Sequence, residues 1–408
     1  MTPPRIAFIV PRYGPDIVGG AETLARQLAE HAQAAGVAQV EVFTSCARDH
    51  FTWRNELPAG AAMTNGVLVR RFPMVHAPAD VDRWHALHER LIFRQDLSIE
   101  EQYEWVHRAA HSPELYRHLV RHGREFDSLI FIPYLFGTTY YGSTIYPERS
   151  IVCPCLHDEF YAYLDPTRNL FHAARGLMFN SEPEAQLARR LYGPHPGAHV
   201  VGLGLEPFMA DAARFRRRFG VREPFVLYAG RLESPKNVPL LVHHFVTYKE
   251  NRPGPLKLVL IGQGELQLPR HPDIIPLGFQ PEQTKRDAYA AAAVLCQPSV
   301  KESFSIVMME AWLAGTPALV HADCDVTRYN VARSDGGLYF QNYAEFEGAV
   351  DILVGDETVR QLLAVNGRAY VQRQHSWEVV LRRFEYALKQ WAPPMREFLP
   401  TPDEERAA

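Results

Sequence analysis

Two carboxylates bracket the segment Glu302-Ser-Phe-Ser-Ile-Val-Met-Met-Glu310. It follows a strand expected over 294–297 and opens a helix expected over 305–314. Glu310 has Ile306, Val307, Met308, Met309, Ala311, Trp312 and Leu313 around it, and a helix that is apolar all round is a buried one. A buried carboxylate with no Lys or Arg within one helical turn needs hydrogen-bond donors, and a ribose diol would supply two. Glu302 stands before the helix, where the first backbone N–H groups have no intrahelical partner. Those N–H groups, around Phe304, Ser305, Ile306 and Val307, can receive a diphosphate or sugar hydroxyls. The plain structural alternative makes Glu302 a surface residue and pairs Glu310 with a distant cation.

A second group is Ala229-Gly230-Arg231-Leu-Glu-Ser-Pro-Lys236-Asn237, after the apolar run Phe225-Val-Leu-Tyr. Pro235 reads as the first helical residue with Ser234 as its N-cap. Arg231 and Lys236 would then lie beside a helix N-terminus and suit the negative charge of a diphosphate leaving group. A third is Tyr13-Gly14-Pro-Asp-Ile-Val-Gly19-Gly20-Ala21-Glu22. It lacks the G-x-G-x-x-G spacing, and the second strand ends without an acid for an adenosine ribose, so a nicotinamide dinucleotide site has weak support. Gly19 and Gly20 would let the backbone approach a bulky group. The fourth, Leu156-His157-Asp158-Glu159, places a lone His among acids after a strand, where it can bind a sugar hydroxyl or serve the acceptor. Tyr13, Tyr134 and Asp158 are expected to face that acceptor. Gly262, Gly264, Gly278 and Phe279 also follow strands and offer backbone groups to a nucleobase. Asp80 with Asp82 and Asp323 with Asp325 have Asp-x-Asp spacing for a divalent cation. Arg231 and Lys236 already supply the charge a metal would bring, so no metal or other cofactor is expected.

These residues need elements to hold them. Strands are expected over 5–10, 40–44, 67–72, 128–132, 150–154, 176–180 and 199–203, and again over 225–229, 256–261, 274–277, 294–297, 317–321 and 338–340, with helices between most of them. Alternation of this kind predicts an α/β fold with parallel sheets covered on both faces. The charged stretch within 206–223 separates two Rossmann-like series. The expected organisation is an N-terminal acceptor domain over 1–205 and a C-terminal sugar-nucleotide domain over 206–375. A last helix and tail, 376–408, would pack back on the first domain. The segment 80–126 is dense in His, Arg and aromatics at helical spacing. It reads as a solvated helical face over a core stripe or as a patch for an acceptor or anionic headgroups.

Of 408 residues, 47% are apolar and 22% charged, which excludes disordered and fibrous classes. The net charge of −4 argues against nucleic acid as a partner. The five cysteines are an odd number in a long chain, which reads as reduced and intracellular. Cys153-Pro-Cys155 is too tight for the usual zinc or redox spacing. No run reaches the roughly 20 apolar residues of a membrane span, so the expected place is the cytoplasm, with peripheral contact at the inner membrane surface.

Taken together, the residues resemble the retaining glycosyltransferases of GT-B fold, in particular glycosyltransferase family four. Glu302 to Glu310 is similar to that family's E-x7-E signature, Gly230-Arg231 with Lys236-Asn237 to its phosphate-binding segment, and Gly19-Gly20-Ala21-Glu22 to its N-terminal loop. His157 stands where the family has its active-site His. The resemblance implies a UDP- or GDP-linked sugar as donor and a glycan, lipid-linked or small-molecule acceptor. It implies that Glu302 holds the sugar, Glu310 the ribose, Arg231 and Lys236 the diphosphate, and His157 the sugar or the attacking acceptor. The family often has Gly-Phe-Gly where this chain has Ser303-Phe304-Ser305. A sugar-nucleotide epimerase of similar fold and a non-catalytic sugar-nucleotide-binding protein are the alternative readings.

Overall fold

The structure, a computed structural model, describes residues 3–17, 19–49, 52–75, 78–93 and 95–392. Short apolar runs, nearly all buried, build two sheets. The first holds β1 (Arg5–Ile9), β2 (Gln39–Ser45), β3 (Gly60–Thr64), β4 (Val67–Phe72), β5 (Ser128–Phe131), β6 (Ser150–Val152), β7 (Gly176–Phe179) and β8 (Ala198–Val200), in the order β3-β4-β2-β1-β5-β6-β7-β8. The second holds β9 (Phe225–Ala229), β10 (Lys257–Ile261), β11 (Ile274–Gly278), β12 (Val294–Gln297), β13 (Ala318–His321) and β14 (Gly337–Phe340), in the order β11-β10-β9-β12-β13-β14. All neighbours are parallel except β3 and β4. The fold class is therefore α/β with two Rossmann-like sheets, as the alternation predicts. The antiparallel β3 is a departure: its sequence, GAAMT, carries no β-branched residue before Thr64, and most of it is exposed.

Strand order reverses at β1/β5 in one sheet and at β9/β12 in the other. Such points leave a crevice at the carboxyl ends of the strands. Between β4 and β5 the chain forms the helices Pro78–Ile92, Ile99–Arg108 and Pro113–His122. Ser98 and Glu101 start the second of these with a reciprocal capping box. The two sheets are joined twice. The chain leaves the first beyond Leu203 and returns near His375, where Leu205 N–H donates to the His375 carbonyl at 2.7 Å. The helix Trp377–Trp391 then lies on the first sheet's side of the molecule. Trp377 stacks on His31 with centroids 3.7 Å apart, Phe384 meets Phe8, and Trp391 Nε1 donates to the Gly197 carbonyl at 2.8 Å. Gly176 admits this helix, because a Cβ there would stand 2.2 Å from Trp391 Nε1. Among the described residues no helix is long and apolar enough to cross a membrane.

Candidate active site at the facing strand ends

Glu302 follows β12 and is nearly buried, with 11% of its side chain exposed. Lys236 Nζ donates to its Oε1 at 2.8 Å and Gln297 Nε2 to the same oxygen at 2.9 Å. Burial pushes the Glu302 carboxyl up, but Lys236 and then His157 outweigh it and hold it below the ordinary carboxylate range. The effect of His157 shows that the end of β6 in the first sheet approaches Glu302 in the second. His157 Nδ1 lies 3.5 Å from Glu159 Oε1. Burial raises the Glu159 carboxyl, and His157, Lys301 and Tyr134 more than reverse this. The site is thus a buried, charge-balanced cluster drawn from both sheets: His157 and Glu159 from one, Lys236, Gln297, Lys301 and Glu302 from the other.

Several sequence expectations need correction. Glu310 does not lack protein partners. Lys285 Nζ lies 3.1 Å from it and Tyr289 O–H donates to it at 2.9 Å. Both come from the neighbouring helix Glu282–Ala291, which a search within one helical turn of Glu310 cannot reach. Burial still raises the Glu310 carboxyl against the pull of Lys285. Lys236 is not a free cation awaiting phosphate, since Glu302 holds it. Arg231 is more than half exposed and lies 3.2 Å from Glu233. Pro235 does not begin the helix: Ser234–Lys236 is a 3₁₀ turn, Asn237 turns left-handed at φ 57°, and the α-helix is Val238–Asn251. Asn237 Nδ2 bonds to the Pro298 carbonyl at 3.0 Å, which ties this turn to the Glu302 loop.

One backbone group each of Gly262 and Gly278 is taken up by the other. Gly262 N–H donates to the Gly278 carbonyl at 2.9 Å, and a Cβ on Gly262 would stand 1.8 Å from the Gly230 carbonyl oxygen. Gly262 serves close packing against the Gly230 loop, whereas Gly278 has open space around it and a left-handed φ of 67°; Phe279 is exposed at the end of β11. Phe304 is buried and edge-on to His375, with centroids 5.0 Å apart. Ser305 sits left-handed at φ 71° before the helix Ile306–Ala314 and does not cap it with its side chain. Its hydroxyl is buried with no partner. Ile306 and Val307 are partly buried in the first turn of that helix.

In the first sheet, Gly19 is required by Glu22, whose carboxylate would lie 2.0 Å from a Cβ there, whereas Gly20 opens on free space. Glu22 pairs with Arg12. Tyr13 is only 1% exposed, so it does not face an open acceptor site. Tyr134 is buried too and its hydroxyl donates to Glu159 at 3.3 Å. Asp158 is exposed and taken up by Tyr163 at 2.6 Å and Arg190 at 3.1 Å. Asp325 is paired with Arg328 at 2.7 Å and Asp323 accepts from Gln341 at 3.2 Å. The side chain of Asp80 lies outside the described residues. Among the described residues no group of three His, Cys, Asp or Glu side chains is placed to hold a metal ion.

Sequence reasoning missed Gln297, Lys285 and Tyr289, whose roles depend on which strands and helices become neighbours. It also missed Glu184, which is 1% exposed. Its two oxygens accept from Leu156 N–H and Asn180 N–H, each at 2.6 Å. Glu184 thereby fixes the loop that carries His157.

Residues 210–370 match the family model described as "Glycosyl transferases group 1". An uncharacterized glycosyltransferase of Methanocaldococcus jannaschii is 28% identical over 217 residues, which is 50% of this chain and 54% of that protein. The D-inositol 3-phosphate glycosyltransferase of Kribbella flavida is 30% identical over 236 residues, 51% of this chain and 54% of that protein. The matched region spans about half the length of these curated relatives. Among solved structures, sucrose-phosphate synthase from Thermosynechococcus elongatus superposes with a TM-score of 0.72 at 18% identity, covering 95% of this chain and 98% of its own. Anabaena HepE, solved with UDP and glucose, gives 0.68 at 16% identity over 95% and 99%. These likenesses are those of the two-domain GT-B fold.

Proposed function

We propose, from the match of residues 210–370 to the group 1 glycosyl transferases, that the chain moves a sugar from a nucleoside-diphosphate sugar to an acceptor hydroxyl, with retained configuration and without a metal. The observation that carries this reading is the buried Lys236–Glu302 pair, 2.8 Å across, set opposite His157 of the other sheet. Glu302 accepts from a sugar hydroxyl once Lys236 turns to the incoming diphosphate. Arg231 joins Lys236 on the phosphates, and the unpartnered N–H groups at the start of Ile306–Ala314 add positive potential there. Glu310 receives the ribose diol alongside Tyr289. Phe279 lies exposed for the base. Fixed cations of this kind stabilise charge building on the leaving phosphate. Same-face attack lets that phosphate take the proton of the acceptor hydroxyl, with His157 aligning the sugar. UDP is the favoured nucleotide, supported by the UDP and UDP-glucose complexes of the Anabaena protein. The acceptor is a glycan, a lipid-linked sugar or a small polyol. The five free cysteines agree with work in the cytoplasm.

The test is a titration of UDP-, GDP-, ADP- and TDP-sugars, followed by product analysis with and without EDTA. Activity should survive EDTA, and Lys236→Ala should lower kcat by roughly 10²-fold. Activity abolished by EDTA and restored by Mn²⁺, with Lys236→Ala near wild type, would overturn the reading. Glu310→Gln should weaken binding of free UDP, whereas Glu302→Gln should slow transfer and leave UDP binding close to normal. Donor turnover with no acceptor present would favour an epimerase.

A further inference from the structure

Cys153 and Cys155 flank Pro154 on the loop that carries His157, and the function proposed above leaves both without a task. Their spacing is tighter than that of the usual redox pair, but the fold brings the two sulfurs together. Cys153 follows β6 directly, and Asn180 follows β7, the next strand of the sheet. The Asn180 amide joins the two thiols. Cys153 Sγ donates to Asn180 Oδ1 at 3.9 Å, and Asn180 Nδ2 donates to Cys155 Sγ at 3.7 Å. Burial, and then contact with the Cys155 thiol, pushes the Cys153 thiol well above its ordinary value. Cys155 stands left-handed at φ 54°, a strain that a non-glycine residue holds only where its surroundings impose it.

Access to the two sulfurs is unequal. Cys153 is 0% exposed, whereas Cys155 is the one free cysteine among the described residues that is not buried. A partly open thiol backed by a buried one is the arrangement of an attacking and a resolving cysteine. The backbone on either side of Cys155 is pinned. Tyr134 N–H donates to the Pro154 carbonyl at 3.2 Å, and Leu156 N–H donates to Glu184 Oε1 at 2.6 Å. Glu184 Oε2 takes the Asn180 N–H at 2.6 Å. Drawing Cys155 Sγ onto Cys153 Sγ removes the bonds of Asn180 to both sulfurs. The change reaches Glu184 through Asn180, and through Glu184 the backbone before His157.

We propose that Cys153 and Cys155 form a reversible thiol-oxidation site, with a hydroperoxide as oxidant, whose closure shifts His157 and slows transfer. The Cys155 sulfur attacks the peroxide. The O–O bond breaks, water leaves with the thiol proton, and the sulfur becomes a sulfenic acid. Cys153 Sγ then attacks Cys155 Sγ: the S–S bond forms, the S–O bond breaks, and the hydroxyl leaves as water with the Cys153 proton. The two thiols give up two electrons, and the peroxide is reduced to water. A link across a single residue is strained, and strained links are readily reduced, so a dithiol reopens it. The effect on transfer rests on the transferase reading; the link itself does not.

For the test, the full chain is treated with hydrogen peroxide, blocked with iodoacetamide and digested with trypsin without reductant. The tryptic peptide 150–168 holds both cysteines, and His157 is its single histidine. Treated wild type should yield this peptide lighter by the two thiol hydrogens and free of iodoacetamide groups. Its kcat should fall at least about 10-fold, the scale of a small misplacement at a reacting group, with UDP affinity unchanged. Diethyl pyrocarbonate should modify His157 faster in the linked chain, as the loop leaves Glu184. Dithiothreitol should restore the mass, the rate and the reactivity. Cys155→Ser should turn over close to wild type and withstand peroxide. If that variant does not fold, Cys153→Ala carries the comparison. Its Cys155 has no resolving partner and passes on to the sulfinic acid, which dithiothreitol does not reverse. Iodoacetamide on both cysteines after peroxide, or equal inactivation of Cys155→Ser, overturns the proposal. So does a linked chain whose rate and His157 reactivity match those of the reduced one. Absence of transfer in the untreated chain would count against the transferase reading, while the peptide mass and His157 reactivity would still decide this one.

Discussion

Ser305 concentrates the residue-scale physics of the donor loop. A non-glycine residue in the left-handed region costs roughly 1–2 kcal/mol, and Ser305 stands there at φ 71°. Its hydroxyl is buried and unpartnered, which adds a penalty of about 1–3 kcal/mol. The second cost is relieved by a ligand that bonds to the hydroxyl, whereas the backbone strain stays. Ser305→Ala keeps the Cβ and removes the hydroxyl. We expect it to melt higher than wild type without ligand and to bind the sugar nucleotide about 5-fold more weakly, the worth of one neutral hydrogen bond. Melting curves without ligand and a donor titration check the two halves separately. Unchanged donor affinity would show that the hydroxyl faces no ligand. Ser303 and Ser305 are visible in the sequence as departures from Gly-Phe-Gly, but the backbone angle and the missing partner are not. Glu310 shows the same limit. Its burial follows from the apolar residues around it, whereas Lys285 and Tyr289 reach it only because two helices pack side by side.

At the scale of elements, chemistry sits in the loops after strands, and those loops are held by buried polar groups. Glu184 bridges Leu156 N–H and Asn180 N–H, linking the ends of β6 and β7. Burial pushes its carboxyl up to about 8 against the pull of those N–H groups. Gln at this position would set its amide N–H₂ against one of the two N–H donors. We expect Glu184→Gln to destabilise the chain by about 2 kcal/mol, the cost of one buried donor left unmade. It should also lower kcat several-fold with donor KM near wild type, because the loop of His157 loosens while the donor loops do not. Equal effects on kcat and donor KM would show a general loss of fold instead. The strand-end loops themselves were legible from apolar runs followed by Gly, Asp, Glu or His. β3 was not, because small exposed residues carry no alternation. The Ser234–Lys236 turn was misjudged, because Ser-Pro signals a helix start equally well when only one 3₁₀ turn follows.

The whole molecule is two sheets joined by two short crossings, and His375 stands where they meet. It packs edge-on against Phe304 of the donor loop. Its Nδ1 lies 3.6 Å from where a Cβ on Gly202 would stand, and its carbonyl accepts from Leu205 N–H. The two-sheet plan was legible because the β/α alternation restarts after the charged stretch, but a hinge residue depends on how the halves are placed, which no local pattern encodes. Burial, with the nearby charge of Arg383, lowers the His375 imidazole to about 4 from an ordinary value of 6.5. A base whose folded pKa is depressed adds stability that is fully present above the unfolded pKa. It is lost as the pH falls from 6.5 toward 4, because the unfolded chain takes up the proton first. That depression corresponds to roughly 3 kcal/mol. Denaturant unfolding at pH 7 and at pH 4.5 should therefore show a large loss of stability in the wild type. In His375→Gln that loss should be smaller by most of this amount. Because His375 touches the donor loop and both crossings, the acid-weakened wild type should lose UDP affinity over the same interval, before global unfolding. Parallel pH profiles for wild type and variant would show that His375 is not held neutral at the hinge.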